Sequence, residues 1–111
     1  MAPVTETLLN EMARAIVEAV EPERVILFGS HARGAAGPGS DVDLLVVEKR
    51  PFGPGRSRRR EIARIRGALS RFRIPKDILV FASDEVERFG DSRNHVVGTT
   101  LREGRVFYER S

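Results

Sequence analysis

Apolar residues at Leu8, Leu9, Met12, Ile16 and Val20 recur every three or four positions, which predicts a helix over residues 5–20 with one buried face. Pro22 ends that pattern, since its ring cannot continue a helical backbone. Residues 24–28, RVILF, form a short apolar run between Glu-Pro and Gly-Ser, the mark of a buried strand. Four glycines and a proline follow between Gly29 and Ser40, around a small-residue patch at 31–36 that suits one or two helical turns capped by Ser30. The next segment, DVDLLVV at 41–47, begins with polar alternation and ends as a continuous apolar run. It reads as a strand whose start faces solvent and whose end is buried.

Beyond a turn-rich loop at 51–55, Ser57 is placed to cap a helix reaching about Phe72, with Ile62, Ile65, Leu69 and Phe72 on one stripe and Arg60, Arg64 and Arg71 opposite. A third strand is expected over 76–81. Ser83 followed by Asp84 and Glu85 reads as the capped, acidic first turn of a short helix ending at Gly90. A last helix over 93–103 stops at Gly104, and residues 106–108 add a final strand. The order predicts an α+β fold, a small mixed sheet with helices packed on it.

Composition sharpens this picture in three ways. The 111 residues, 41% hydrophobic, suffice for one compact core, so a single domain over 1–111 is expected. The net charge of +3 is a modest surplus, which argues against coating a long polynucleotide and leaves a local anion site open. Cysteine is absent, which excludes disulfides, thiolate catalysis and cysteine-ligated zinc. The first twenty residues carry acids among their apolar positions and resemble neither a secretory signal nor a membrane span, so the expected location is the cytoplasm.

The chemistry gathers at two places. Asp41 and Asp43 are two apart on an expected strand, so both carboxylates project from one face about 7 Å apart. Such a pair repels itself unless a cation lies between, and oxygen ligands of this kind suit Mg²⁺. The plainer reading is that the two acids only decorate a turn before the strand. Directly after the preceding strand, with ten residues between them and Asp41, stand Gly29 and Ser30. Glycine lets a phosphate approach the backbone closely, and serine offers a hydroxyl and a main-chain N–H.

A Gly-Ser after one strand, ten residues, and an Asp-x-Asp opening the next resembles the minimal nucleotidyltransferase family of the DNA polymerase β superfamily. The likeness runs through VILFGSHARG, SDVDLLVV, DILVF and REGRVFYER in order. It implies a polymerase β-like nucleotidyltransferase fold. It also implies that Gly29 and Ser30 bind the triphosphate of ATP, and that Asp41 and Asp43 hold two Mg²⁺ ions together with a third strand carboxylate, for which Asp77 is the acidic residue available. Asp77 begins its strand as Asp41 does, and neighbouring strands lie about 4.8 Å apart, so the three carboxylates can converge. In that arrangement Asp77 also serves as, or positions, the base for the attacking hydroxyl. Arg33, three residues beyond Ser30, is placed to neutralise a phosphate oxygen. His31 reads as a structural residue of the same loop.

Between Arg56 and Arg73 stand eight arginines and one acid, Glu61. A solvated helix face is the first reading, and a docking surface for an acidic partner or RNA the second. Phe72 belongs to the apolar stripe, so base-stacking aromatics are not interleaved with the arginines. The acceptor of the nucleotide is not specified by any motif. Small members of the family resemble the antitoxins of HEPN ribonuclease toxins, which implies AMP transfer from ATP to a hydroxyl of that partner. Two other readings are a stoichiometric antitoxin or nucleotide-binding module acting by contact, and a small-molecule nucleotidyltransferase of the aminoglycoside-modifying kind, whose pocket an oligomer could build.

Overall fold

The computed structural model describes residues 4–37 and 39–110; Pro38, within the expected phosphate loop, lies outside them. The chain runs α1 (Glu6–Val20), β1 (Arg24–Phe28), α2 (Gly29–Ala32), β2 (Val42–Glu48), α3 (Arg58–Ala68), β3 (Lys76–Ala82), α4 (Ser83–Phe89), α5 (Val96–Glu103) and β4 (Arg105–Glu109). The strands form one mixed sheet in the order β3-β2-β1-β4. β1 pairs antiparallel with β2 and with β4, whereas β2 and β3 are parallel and need the crossover through α3. This is the α+β arrangement and the element order that the sequence predicts.

Strand alternation divides the core between the two sheet faces. Val25, Leu27, Val42, Leu44, Val46, Ile78 and Val80 point to one side, where Leu9, Met12 and Ile16 of α1 and Ile65 of α3 cover them. Ile26, Leu45 and Val47 point to the other, under Val86 of α4 and Val97 of α5. Long helices cover the first face. The second carries only two short ones. In β4 the register slips opposite Val25 and Ile26, with Phe107 as the extra residue, so that Phe107 and Tyr108 both pack toward the α1 side.

Several boundaries differ from the expected ones for identifiable reasons. α2 begins at Gly29 rather than after Ser30, so Ser30 lies inside the first turn and is not its cap. α3 is capped by Ser57, whose hydroxyl accepts from the Arg60 N–H at 3.2 Å, but it ends at Ala68 and leaves Leu69 and Phe72 to be buried from the turns that follow. Ser83 likewise is no cap. Glu85 Oε1 accepts the Ala82 N–H at 2.8 Å, while the Ser83 hydroxyl donates to Glu23 Oε2 at 2.8 Å and ties α4 to the turn before β1. α5 starts three residues later than expected, at a cap formed by His95, whose Nδ1 accepts from Val97 N–H at 3.1 Å. The two β strands expected over 76–81 and 106–108 each extend by one residue or more, to Lys76–Ala82 and Arg105–Glu109.

Candidate active site

The site forms where β1 ends and β2 and β3 begin. Phe28 lies opposite Asp43 in the antiparallel pair, and Asp43 lies opposite Asp77 in the parallel pair. Paired residues in adjacent strands project from the same face. Asp43 and Asp77 therefore stand side by side, on the face that holds Leu45 and Leu79 and that α4 and α5 cover. Those helices are short, and they leave the strand starts open: Asp77 is exposed and Asp43 half-buried. Val42, the residue between the two acids of β2's start, is fully buried on the opposite face, and its N–H donates to Pro75 O at 2.9 Å, which pins the two strand starts together.

Gly29 follows Phe28 with φ +73°, a backbone conformation that side chains other than glycine's disfavour. A Cβ there would stand 2.1 Å from Asp43 Oδ2. Glycine is thus demanded twice, by the turn and by the carboxylate that lies against it. Two backbone bonds, Arg33 N–H to Gly29 O at 3.3 Å and Ala35 N–H to Ser30 O at 2.9 Å, fold the chain after the glycine into a tight coil. His31 Nε2 meets Ser40 O at 3.2 Å. That bond closes the base of the loop immediately before Asp41, the structural role expected for His31.

Asp41 departs from the expected placement. It precedes β2 by one residue and is exposed. Asp77 is the second residue of β3, not the first, and it lies level with Asp43, not with Asp41. The acids still act on one another. Burial pushes the Asp43 carboxyl above the ordinary aspartate range, and the charges of Asp77 and then Asp41 push it further, while His31 and Arg33 pull it back. Arg33, exposed at the C-cap of α2, is therefore close enough to serve the site electrostatically.

This donor set fits a hard divalent cation. Three carboxylates whose charges oppose one another, against a turn open to close approach, are relieved by a cation with oxygen preference. Among the described residues no three His, Asp or Glu side chains converge into a metal cage of their own. Sequence reasoning found every acid of this cluster. It missed Ser40, whose only signal was its position beside Asp41.

The comparisons with known proteins point the same way. The sequence model of a nucleotidyltransferase domain matches residues 9–106. No curated protein sequence matches the chain at a significant level. Among solved structures, the fold is similar to that of a candidate nucleotidyltransferase from Sulfolobus solfataricus, with a TM-score of 0.57 at 24% identity over 94% of this chain and 79% of that one. It is also similar to a chain of a toxin–antitoxin complex with AMP-PNP, with a TM-score of 0.57 at 15% identity over 92% of this chain and 74% of the other. A third similarity is to a chain of the toxin–antitoxin MntA-HpeT carrying two Asp-to-Glu substitutions, with a TM-score of 0.54 at 15% identity over 97% and 76%.

Proposed function

The chain belongs to the nucleotidyltransferase domain family, and from this we propose that it acts as one minimal domain that transfers AMP from ATP to a hydroxyl of a partner protein, a HEPN-type toxin in the cytoplasm. The observation that carries the transfer chemistry is the pairing of Asp43 with Asp77 in adjacent strands, with Gly29, directly after β1, lying against the Asp43 carboxylate. Two of the similar structures are described as toxin–antitoxin chains, one of them with an ATP analogue, and that supports the choice of acceptor and nucleotide.

In this reading Gly29 admits the triphosphate against the backbone, Ser30 offers its hydroxyl and N–H, and Arg33 offsets phosphate charge. Asp41, Asp43 and Asp77 would hold two Mg²⁺ ions, which would supply charge stabilisation at the α-phosphate and a lowered pKa for the attacking hydroxyl. Asp77, the exposed acid at the mouth, faces the acceptor and receives or directs its proton. The acceptor oxygen bonds to the α-phosphorus, the bond to the β-phosphate oxygen breaks, and pyrophosphate leaves.

The test is incubation of the purified pair with ATP labelled at the α-phosphate. Label on the partner, lost in Asp41→Asn/Asp43→Asn, is the expected result. No label, together with full neutralisation of the toxin by that variant, would establish binding alone as the mode of action. Label appearing on a small acceptor in place of the protein would identify a small-molecule transferase.

A further inference from the structure

The structure sorts the eight arginines of residues 56–73 into two groups. Arg56 pairs with Glu48 and Glu61, Arg58 with Glu85, and Arg64 with Glu61 at 3.7 Å, so these three serve the fold. Arg59, Arg60, Arg66, Arg71 and Arg73 are all exposed, and among the described residues none of the five has an acidic partner. Two features of α3 cost stability without return. Arg59 and Arg60 sit in the first turn of α3, at the positive end of its dipole, where an acid would be favoured. Gly67 lies within the same helix, where glycine is unfavourable, yet a Cβ there would meet nothing within 4 Å. No packing demands that glycine.

Helical geometry places Arg59, Ala63 and Arg66 within about 60° of one another, so two guanidiniums seven residues apart stand beside the small, exposed Ala63. Arg71 and Arg73 follow in the turns between α3 and β3. We propose that this arginine face of α3 is the docking surface for an acidic helix of the partner protein. The proposal rests on the reading of the chain as a transferase to a protein. Arginine forks match carboxylates bidentately. Carboxylates seven residues apart on a partner helix share the spacing of Arg59 and Arg66. Nucleic acid is the less suited occupant. Phe72 is buried, Phe52 lies against the guanidiniums of Arg56 and Arg58 at 4.4 and 4.7 Å, and neither offers a face on which a base could stack. The net charge of +3 is also small for a polyanion binder.

The test measures, by fluorescence anisotropy at physiological salt and without ATP or metal, the binding of a labelled synthetic helical peptide with glutamates seven residues apart. An RNA duplex of equal formal charge is the second probe. Peptide binding should weaken at least tenfold in Arg59→Glu/Arg66→Glu, and hardly at all in Arg14→Glu/Arg93→Glu, which changes net charge equally elsewhere. Arg59→Glu puts an acid into the first turn of α3, so the thermal midpoint should not fall while binding is lost, and Arg59→Gln/Arg66→Gln repeats the test without new charge. Asp41→Asn/Asp43→Asn should bind the peptide as the unaltered chain does, so failure of docking and failure of transfer are read separately. Equal weakening by both charge reversals would overturn the proposal. So would peptide binding indifferent to Arg59 and Arg66, or tighter binding of the RNA duplex that is lost on the same substitutions.

Discussion

Asp43 and Gly29 are adapted to each other at the expense of stability. The carboxylate is half-buried, level with Asp77, and pressed against a backbone that leaves no room for a Cβ. Because its folded pKa is raised above the unfolded value of 3.8, folding takes up a proton there, and the contribution to stability falls as pH rises through that interval. Asp43→Asn removes the repulsion while keeping the shape. It should raise the thermal midpoint at pH 7 and abolish transfer of labelled AMP, a combination that a purely structural aspartate would not produce. Gly29→Ala should act in the opposite sense on stability, since φ +73° costs an L side chain roughly 1–2 kcal/mol and the new methyl must displace the Asp43 carboxylate. A fall of that size in urea unfolding, with loss of transfer, is the expected outcome. Unchanged stability would mean that the turn relaxes to another conformation.

The link between β2 and α3 carries a second group of acids, one that no reading of periodicity reveals. Glu48 is 4% exposed, and its Oε2 has no hydrogen-bond partner among the described residues. Arg56 bridges it to Glu61 and donates to Arg50 O at 2.6 Å, so one guanidinium ties the strand end, the loop and the first turn of α3 together. Burial and the neighbouring Glu61 push the Glu48 carboxyl up to about 7, against the pull of Arg56. The unfolded value is 4.5, so the contribution of Glu48 to stability is fully present below that pH and declines as pH rises toward 7. The decline is on the order of 2 kcal/mol after allowance for screening through the open cavity of about 340 Å³ beside the two acids. Glu48→Gln should flatten this dependence between pH 4.5 and 7 and leave transfer intact, as unfolding curves across that range would show; a slope equal to the parent's would assign the titration elsewhere. Helices and strands with a strong apolar rhythm, such as α1 and β1, were legible in the sequence to within a residue. Ser83 and Phe72 were misread because local signals compete with tertiary ones. Ser83 has the sequence of a cap, but Glu23 sixty positions away takes its hydroxyl. Phe72 fits the helical stripe but is buried from a turn. The acids of the site were legible as a motif, whereas their levels in the sheet depended on a strand register that no local spacing encodes.

Over the molecule as a whole, the small net charge conceals a separation. Acids that repel one another gather at the open start of β2 and β3, and unpaired arginines line α3, whose chain leads into β3. The long helices α1 and α3 bury one face of the sheet, and the short α4 and α5 leave the candidate site uncovered on the other, so that site is built from the sheet, α2 and the loops between them. Such a site is not rigidified by packing. Its carboxylates are relieved only when positive charge arrives, which makes the gain in stability on binding depend on metal and nucleotide together. At a concentration one hundred times its dissociation constant a ligand adds about 2.7 kcal/mol, worth on the order of 10 °C in a chain of this size. Mg²⁺ with a non-hydrolysable ATP analogue should therefore raise the thermal midpoint by about that much, and the analogue in excess EDTA should raise it far less. Asp41→Asn/Asp43→Asn should show neither increase, starting from a higher midpoint of its own. An equal shift with and without metal would place the nucleotide on the arginines and away from the carboxylates.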